Sequence, residues 1–397
     1  MKTGDPRDPS AADPRDGRAL GPPRAAMRDD HDGDGIRTID RFVEHVSAVP
    51  AIAGQTVRLF LREKVSATIA DGPPGSVAER RVVLMVHGGF WPGTVAFDFG
   101  HRDYSFMTAL ARAGFDVFAL DMTGYGYSDR PMMDDPRNLS PADRAVLARG
   151  SPAEPTQPTY PFVLVDSRSE TADIDAAVEC IRRLRGVEKV SLFGWSGGGI
   201  RTGTYALRHP EKVDRLVILA SSNYRRDGSD VPPPTLPVPG FPLTIQSRAV
   251  GEHERWRPNI RCPGQVEDDV FDVLWQASLA TDPVGAGWGP GVLRSPTRTY
   301  WGWTASRAAR LAVPTLVMAG EHDRLVDSNA ALYRDLGTAE KVFLMINCAS
   351  HFVMWEQGRS IVWRAAREWF ESATLEGART GIFIADAEGG LEGGPSL

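Results

Sequence analysis

Hydrophobic residues along this 397-residue chain come in short apolar runs that alternate with segments of helical spacing. Short apolar or alternating runs predict strands, and apolar residues at i, i+3 and i+4 predict amphipathic helices. The predicted strands are 42–48, 55–65, 81–86, 115–120, 190–193, 213–220, 315–319 and 342–346. The predicted helices are 104–113, 167–184, 200–208, 271–279, 329–336 and 352–370. The first two strands suit a hairpin, and the later alternation predicts a mainly parallel sheet with helices on both faces, an α/β protein.

Four stretches interrupt this alternation. Residues 1–35 are rich in Asp, Arg, Pro and Gly and predict a disordered tail, in which translation starts at Met1 or Met27. Residues 131–161 are rich in Pro, Asp and Arg and predict a surface excursion. Residues 223–303 predict an irregular, tryptophan-rich lid between two parts of the core, 36–222 and 304–376. Residues 377–397 predict a loose tail, in which 381–384 could add a short extended piece.

Composition excludes several classes of function. The formal net charge of −6, from 45 basic and 51 acidic residues, gives no general attraction to nucleic acid. No apolar run approaches the ~18–20 residues that cross a bilayer. The three cysteines are widely spaced without metal-ligand spacing, so we expect reduced thiols and a cytoplasmic location. We expect no metal and no cofactor, and the pattern leaves the oligomeric state open.

A candidate nucleophile lies where a predicted strand turns into a predicted helix. The sequence Gly194-Trp195-Ser196-Gly197-Gly198 follows the apolar strand 190–193 and precedes the helix 200–208. This is a G-x-S-x-G pattern in strand–turn–helix context, which presents a serine at the apex of a sharp turn. The glycines suit that turn because the backbone is strained and the strand and helix pass close together. We therefore expect Ser196 to be the nucleophile.

A serine hydroxyl needs a base to take its proton, and the base needs a third group to orient it. Reactive groups in such a sheet gather at the carboxyl ends of the strands. Asp323 follows the strand 315–319 and is the preferred acid, with Glu321 and Asp327 as competitors. His351 is the histidine between the last predicted strand and the last helix, and it is the expected base.

The remaining candidates concern the substrate. Two backbone N–H groups are expected to stabilise the negative oxygen of the reacting carbonyl. Gly197 supplies one, and either Gly89 or Phe90 supplies the other from the loop after strand 81–86. The substrate pocket is predicted to include four tryptophans, although those of the lid could equally form the core of the lid itself. They are Trp91, Trp195, Trp275 and Trp301.

Taken together, residues 42–370 resemble the α/β-hydrolase superfamily. The matching motifs are His87-Gly88-Gly89, the turn from Asp121 to Ser128, the serine motif, and the segments 320–323 and 350–352. The resemblance implies an α/β-hydrolase fold with an eight-stranded type of sheet, an inserted lid, and catalytic groups in the order Ser, Asp, His. The loop after strand 81–86 lacks the third glycine of the lipase-type motif, and 131–161 is longer than the usual connection, so the subfamily stays open.

The expected activity is that of a serine hydrolase. It would cleave a carboxylic ester of an apolar or aromatic small molecule through an acyl-enzyme intermediate. The alternatives are a thioesterase or amidase acting on a biosynthetic acyl group, and a slow-turnover ligand-binding receptor on the same fold.

Overall fold

The computed structural model describes residues 29–33, 35–147, 156–221, 224 and 232–394. Its strands are β1 Asp29–His31, β2 Ile36–Val46, β3 Thr56–Ser66, β4 Val82–Val86, β5 Asp116–Asp121, β6 Val165–Asp166, β7 Val190–Trp195, β8 Val213–Leu219, β9 Leu243–Ser247, β10 Val292–Pro296, β11 Arg298–Thr299, β12 Thr315–Gly320, β13 Lys341–Ile346, β14 Thr380–Ala385 and β15 Leu391–Gly393. Its α-helices are α1 Ala67–Ala70, α2 Gly93–Phe97, α3 Phe106–Arg112, α4 Pro141–Leu147, α5 Ser167–Arg185, α6 Gly197–Arg208, α7 Val270–Ala280, α8 Pro283–Ala286, α9 Ala305–Ala308, α10 Val326–Asp335 and α11 Arg359–Ser372. No helix within these residues is both long enough and apolar enough to cross a membrane.

Within the described residues, eleven strands form the central sheet in the order β1-β2-β3-β5-β4-β7-β8-β12-β13-β14-β15. Pairing is parallel from β5 through β14 and antiparallel at both ends. The predicted hairpin is confirmed, since β2 pairs with β3 from Ile36↔Ser66 to Val46↔Thr56. In the order of the sheet, the eight strands from β2 to β13 correspond to the eight strands that the sequence predicts. This arrangement is the α/β-hydrolase fold.

Helices cover both faces of the sheet. The central strands β4, β5 and β7 are buried along their whole length, which explains why their sequences are continuous apolar runs. On one face Ile174 and Ile181 of α5 pack with Tyr205 of α6. On the other face Phe106 of α3 packs with Trp369 of α11. The loops after β7, β12 and β13 emerge at the carboxyl edge of this covered sheet.

The cap lies between β8 and β12, where the sequence predicts the lid. It contains the antiparallel pair β9 and β10, helices α7 and α8, and a π-helical turn, Val250–Trp256. The predicted surface excursion is wrong for most of the described part of 131–161, because this segment packs into the cap. Leu139 forms an isolated β-bridge with Leu243, and both residues belong to one apolar cluster. The following strand, β6, pairs with β11. Residues 148–155 lie outside the described residues.

Both predicted tails differ from the structure. Residues 1–28 lie outside the described residues, but Asp29–His31 pairs with β2, so the predicted tail is wrong from residue 29 onward. The prediction of a loose tail is wrong for the described residues 377–394, because β14 extends the sheet in parallel to β13 and β15 pairs with β14. The short extended piece that the sequence allows at 381–384 lies within β14. Alternating apolar and aromatic residues in β14 suit a pleated, half-buried surface. The last α-helix begins at Arg359 and not at 352, since a 3₁₀ turn, Val353–Trp355, precedes it.

Candidate active site

The turn between β7 and α6 holds Ser196 in a strained conformation. Ser196 has φ 55° and ψ −118°, and its N–H donates to the carbonyl of Leu219 at 2.9 Å. A Cβ at Gly198 would lie 2.0 Å from the carbonyl oxygen of Val86, and one at Gly194 would lie 2.3 Å from Thr202 Oγ1. The helix therefore approaches the strands more closely than any side chain at these positions would allow. That approach presents the serine at the carboxyl edge of the sheet.

The structure brings the three predicted catalytic side chains together. His351 Nε2 lies 2.9 Å from Ser196 Oγ, and His351 Nδ1 lies 2.9 Å from Asp323 Oδ2. Trp195, which directly precedes the serine, also holds the base in position, since its Nε1 donates to the carbonyl of His351 at 3.0 Å. One ring nitrogen is thus positioned to accept the serine proton while the other is held by a carboxylate.

Of the three candidate acids, Asp323 is the one in contact with His351. Asp323 is 2% exposed, and its Oδ1 accepts the N–H of Leu325 at 2.9 Å, which leaves Oδ2 for the histidine. Glu321 instead accepts the N–H of Cys348 at 3.1 Å. Asp327 lies in the first turn of α10, where a carboxylate stabilises the helix dipole.

The loop after β4 lies against the serine. A Cβ at Gly88 would lie 2.7 Å from Ser196 Cβ. Phe90 has a positive φ of 68°, which turns this loop sharply. Within the described residues, the N–H groups of Gly89, Phe90 and Gly197 have no acceptor. Such groups suit the predicted oxyanion hole, and both Gly89 and Phe90 remain candidates beside Gly197.

A buried arginine that the sequence analysis missed holds this loop. Arg201 Nη1 donates to the carbonyls of His87 at 2.7 Å and Gly88 at 3.1 Å, and Arg201 pairs with Glu170. His87 Nδ1 donates to the Gly88 carbonyl, and Nε2 accepts the N–H of Met122. Burial, and after it the charge of Arg201, hold the pKa of His87 well below its ordinary value, so the ring is neutral. His87 braces the loop and does not face the serine as a base.

A cavity of about 400 Å³ contains Ser196, His351 and Asp323. Two predicted pocket residues, Trp91 and Trp195, line it, together with the aromatic rings of Phe90 and Phe352. The other two predicted pocket residues lie elsewhere. Trp275 is 2% exposed and stacks on Phe271 inside the apolar core, and Trp301 lines a separate cavity of about 850 Å³. The lid tryptophan on α7 therefore serves the packing of the cap.

The same cavity is more basic than the sequence analysis expects. Arg255, Arg298 and Arg324 line it, along with the acidic side chain of Glu254. Arg255 comes from the π-helical turn of the cap, Arg298 from β11, and Arg324 from the loop after Asp323. No sequence motif marks these arginines, because the topology brings them together from three separate segments.

A buried glutamate joins the cap to the loop of His351. Glu356 is 0% exposed and accepts from Ser350 N at 2.8 Å, from the Ser350 hydroxyl, from Trp256 Nε1 at 2.9 Å and from Gln265 Nε2 at 3.1 Å. Burial raises the pKa of this carboxyl, and the hydrogen bonds oppose that rise. Because Ser350 precedes His351, the network positions the base relative to the cap. The sequence analysis missed it, since two of the four donors, Trp256 and Gln265, come from a distant segment of the chain.

The prediction of reduced cysteines is wrong for two of them. Cys262 of the cap and Cys348 of the histidine loop form a disulfide across a sequence separation of 86 residues, and Cys180 is free. The pairing depends on how the cap folds back over the loop after β13, which spacing alone does not reveal. The disulfide also removes the observation on which the cytoplasmic prediction rested.

Two groups of side chains within the described residues have the composition of metal ligands. One contains Cys262, His322 and Cys348, but its two sulfur atoms are already joined to each other. The other contains His101, Glu267 and Asp269, none of which lines the cavity of Ser196.

The sheet order, the serine at the turn after β7, and the acid and histidine after β12 and β13 define an α/β-hydrolase. Residues 81–261 match the family described as alpha/beta hydrolase fold, and the chain has the fold of the α/β-hydrolase superfamily.

Curated relatives are hydrolases. The chain is 22% identical over 284 residues to a 2-hydroxy-6-oxo-6-phenylhexa-2,4-dienoate hydrolase from Comamonas testosteroni, covering 70% of this chain and 84% of that protein. It is 24% identical over 294 residues to a 2-hydroxy-6-oxononadienedioate/2-hydroxy-6-oxononatrienedioate hydrolase from Cupriavidus pinatubonensis, covering 71% and 84%. Among solved structures, an esterase from Rhodococcus sp. ECU1013 has a TM-score of 0.49 and 18% identity, covering 84% of this chain and 99% of the other. The curated relatives support a hydrolase.

Proposed function

We propose that the protein is a serine hydrolase that cleaves a carboxylic ester of a small molecule through an acyl-enzyme intermediate. The observation that carries this proposal is the pair of 2.9 Å contacts from His351 to Ser196 Oγ and to Asp323 Oδ2. A neutral imidazole in this position accepts the serine proton as the hydroxyl oxygen attacks the carbonyl.

The later steps follow from the same geometry. The attacked carbonyl oxygen gains negative charge, which the free N–H groups of Gly197 and of Gly89 or Phe90 stabilise. The imidazolium of His351, held by Asp323, then gives its proton to the departing alcohol. A water molecule repeats the sequence on the acyl-enzyme and releases the acid, which restores Ser196.

The aromatic side chains that line the cavity favour a substrate that carries an aromatic group. Trp91 is 3% exposed and lies between Trp195 at 6.3 Å and Phe352 at 5.5 Å, measured between ring centroids. Such rings offer large apolar faces in edge-to-face arrangements that an aromatic group can extend. The curated relative from Comamonas testosteroni, whose name describes a phenyl-bearing substrate, supports the same substrate class.

Labelling with a fluorophosphonate tests the proposal directly. Mass spectrometry should find the adduct on Ser196, and Ser196→Ala should lower kcat by roughly 10⁴–10⁶-fold while leaving the unfolding curve unchanged. Ser372→Ala, on the exposed end of α11, is the matched control and should keep full activity. An adduct on another serine would contradict the mechanism.

A second candidate is hydrolysis of a carbon–carbon bond in an acidic dienoate, which the curated relatives favour. Parallel assays of 2-hydroxy-6-oxo-6-phenylhexa-2,4-dienoate and of aryl esters separate the two reactions by their ratio of kcat/KM. Thioester and amide analogues in the same panel test the thioesterase and amidase alternative. Labelling of Ser196 without multiple turnover on any of these compounds would instead indicate a slow-turnover receptor.

A further inference from the structure

The guanidinium of Arg298 lies beside the candidate oxyanion hole. Arg298 Nη2 is 2.9 Å from where a Cβ on Gly89 would stand, and Nη1 is 3.2 Å from where a Cβ on Gly197 would stand. The absence of a side chain at these two positions is what lets the fork of the guanidinium approach the backbone here. Arg298 therefore reaches the region in which the reacting carbonyl oxygen is expected to bind.

Neutral hydroxyls, and not a carboxylate, hold Arg298 in place. Its Nη2 donates to Ser295 Oγ at 2.9 Å, and its Nη1 lies 3.2 Å from the hydroxyl of Tyr300. Ser295 is itself 2.7 Å from the hydroxyl of Tyr125, so the arginine is positioned by a chain of hydroxyl groups. The described residues place no carboxylate oxygen within 4.0 Å of Arg298, whereas Arg201 pairs with Glu170 nearby.

Two further arginines of this cavity are in the same situation. Arg255 stacks over the ring of Phe90 at 5.0 Å, and neither Arg255 nor Arg324 forms an ion pair within the part of the chain that the structure describes. Burial, and after it the charge of Arg324, lower the pKa of Arg255. The charge of Glu254 opposes that shift, and Arg298 adds to it. Three cations that repel one another around one cavity lose that repulsion when an anion binds between them.

One side chain that lines the cavity also carries a buried, uncharged donor. Trp91 lines it, is 3% exposed, and its indole N–H has no acceptor among the described residues. A buried donor without a partner is costly, and a bound anion can satisfy it. A planar carboxylate suits this set best, because a guanidinium can donate two parallel hydrogen bonds to it.

We propose that Arg298, with Arg255 and Arg324, forms a carboxylate subsite beside Ser196, so that the preferred ester carries a carboxylate close to the carbonyl that reacts. This inference rests on the proposed function and changes its substrate class from a purely apolar ester to an acidic one. The aromatic rings then contact the remainder of the substrate, while the arginines orient its charged end.

Protection of Ser196 from fluorophosphonate labelling measures this subsite without knowledge of the natural ester. The labelling rate is followed at constant ionic strength against increasing succinate, which is the acid product of a succinate monoester, and against its neutral diamide. Succinate should protect and the diamide should not. Arg298→Gln should raise the Kd for succinate by roughly 10- to 100-fold, the loss expected for charge-assisted hydrogen bonds, and Arg298→Lys by less.

Two further variants control for folding and for general charge. If Arg298→Gln fails to fold, Arg255→Gln takes its place as the test, since Arg255 is exposed. Arg255→Gln should also weaken the protection of Ser196 by succinate. Arg257→Gln removes a charge from the cap near Arg255 but outside the cavity, where Arg257 pairs with Glu252, and should leave the Kd unchanged.

The outcomes separate this inference from the proposed function. Equal protection by succinate and its diamide, or protection by inorganic phosphate alone, would overturn the carboxylate subsite. A uniform slowing of labelling in Arg298→Gln with unchanged preference for succinate would also overturn it and make Arg298 a donor to the reacting oxygen. If Ser196 is not labelled at all, the proposed function fails, and calorimetric titration of succinate into the wild type and Arg298→Gln still decides the subsite.

Discussion

Replacing Glu356 with Gln tests whether the buried network orders the histidine loop. The carboxylate accepts four hydrogen bonds, two of them from Ser350 and the others from Trp256 and Gln265 of the cap. A glutamine oxygen can accept two of these, but the amide nitrogen then faces the other two donors and cannot accept them. The substitution keeps the volume and shape of the side chain, so the loss of acceptors is its main effect.

The magnitude follows from the count of lost partners. Each buried donor left without an acceptor costs about 1–3 kcal/mol, so two cost about 2–6 kcal/mol. Burying a neutral amide is less costly than burying a carboxylate, which offsets part of that loss. We therefore expect Glu356→Gln to lower the free energy of unfolding by about 2–4 kcal/mol. Because Ser350 precedes His351, kcat should fall more than KM rises.

Urea unfolding followed by tryptophan fluorescence measures the loss of unfolding free energy. Steady-state kinetics measures the loss of kcat, with the concentration of active enzyme taken from the fraction of Ser196 that a fluorophosphonate labels. Glu388→Gln is the matched control, since Glu388 is exposed in the turn between β14 and β15. A change in unfolding free energy below about 1 kcal/mol with unchanged kcat would refute the role of this network. A large loss of stability with unchanged kcat would show that it stabilises the cap without positioning His351.

Burial raises the pKa of Asp121 to about 6, so its contribution to stability is full below its ordinary pKa and is lost as the pH rises through about 6. The unfolding free energy of the wild type minus that of Asp121→Asn should fall by about 2 kcal/mol between pH 4 and pH 7, and a constant difference would contradict this. Trp275→Ala should lower the free energy of unfolding by about 3–5 kcal/mol. It should change kcat/KM for acetyl and benzoyl esters by the same factor. Trp91→Ala should instead lower kcat/KM for the benzoyl ester more, and equal losses for both esters would remove Trp91 from the substrate pocket. Replacing Cys262 and Cys348 with Ser should lower the free energy of unfolding by about 2–5 kcal/mol, and unfolding curves that match the oxidised wild type would argue against the disulfide.

The sequence predicts the central sheet well because local patterns determine it. Apolar runs such as those of β4, β7 and β8 can only be buried, and strands joined by helices pair in parallel. The same logic places Ser196, Asp323 and His351, since loops at the carboxyl ends of adjacent parallel strands meet at one edge. The order of the motifs along the chain therefore carries three-dimensional information.

The cap and the lining of the cavity could not be predicted in this way. The packing of 131–161 against the cap depends on nonlocal contacts such as Leu139 with Leu243, for which periodicity gives no signal. Trp275 and Trp301 have the composition of pocket residues, but only the direction of each helix and loop decides whether a ring faces substrate or core. Arginines are similarly ambiguous, because a sequence does not show whether Arg298 has a carboxylate beside it.

The outer position of β14 decides how the chain can be shortened. This strand covers the open edge of β13, and the N–H of Asn347, just after β13, donates to the carbonyl of Ala385 at 2.9 Å. A chain ending at residue 376 would leave the outer edge of β13 unpaired, while β12 still pairs with its inner edge. An exposed flat edge recruits strands from other copies. Loss of the last twenty-one residues is thus expected to cause aggregation before it affects chemistry. Fusions and tags are better placed at the other end of the protein.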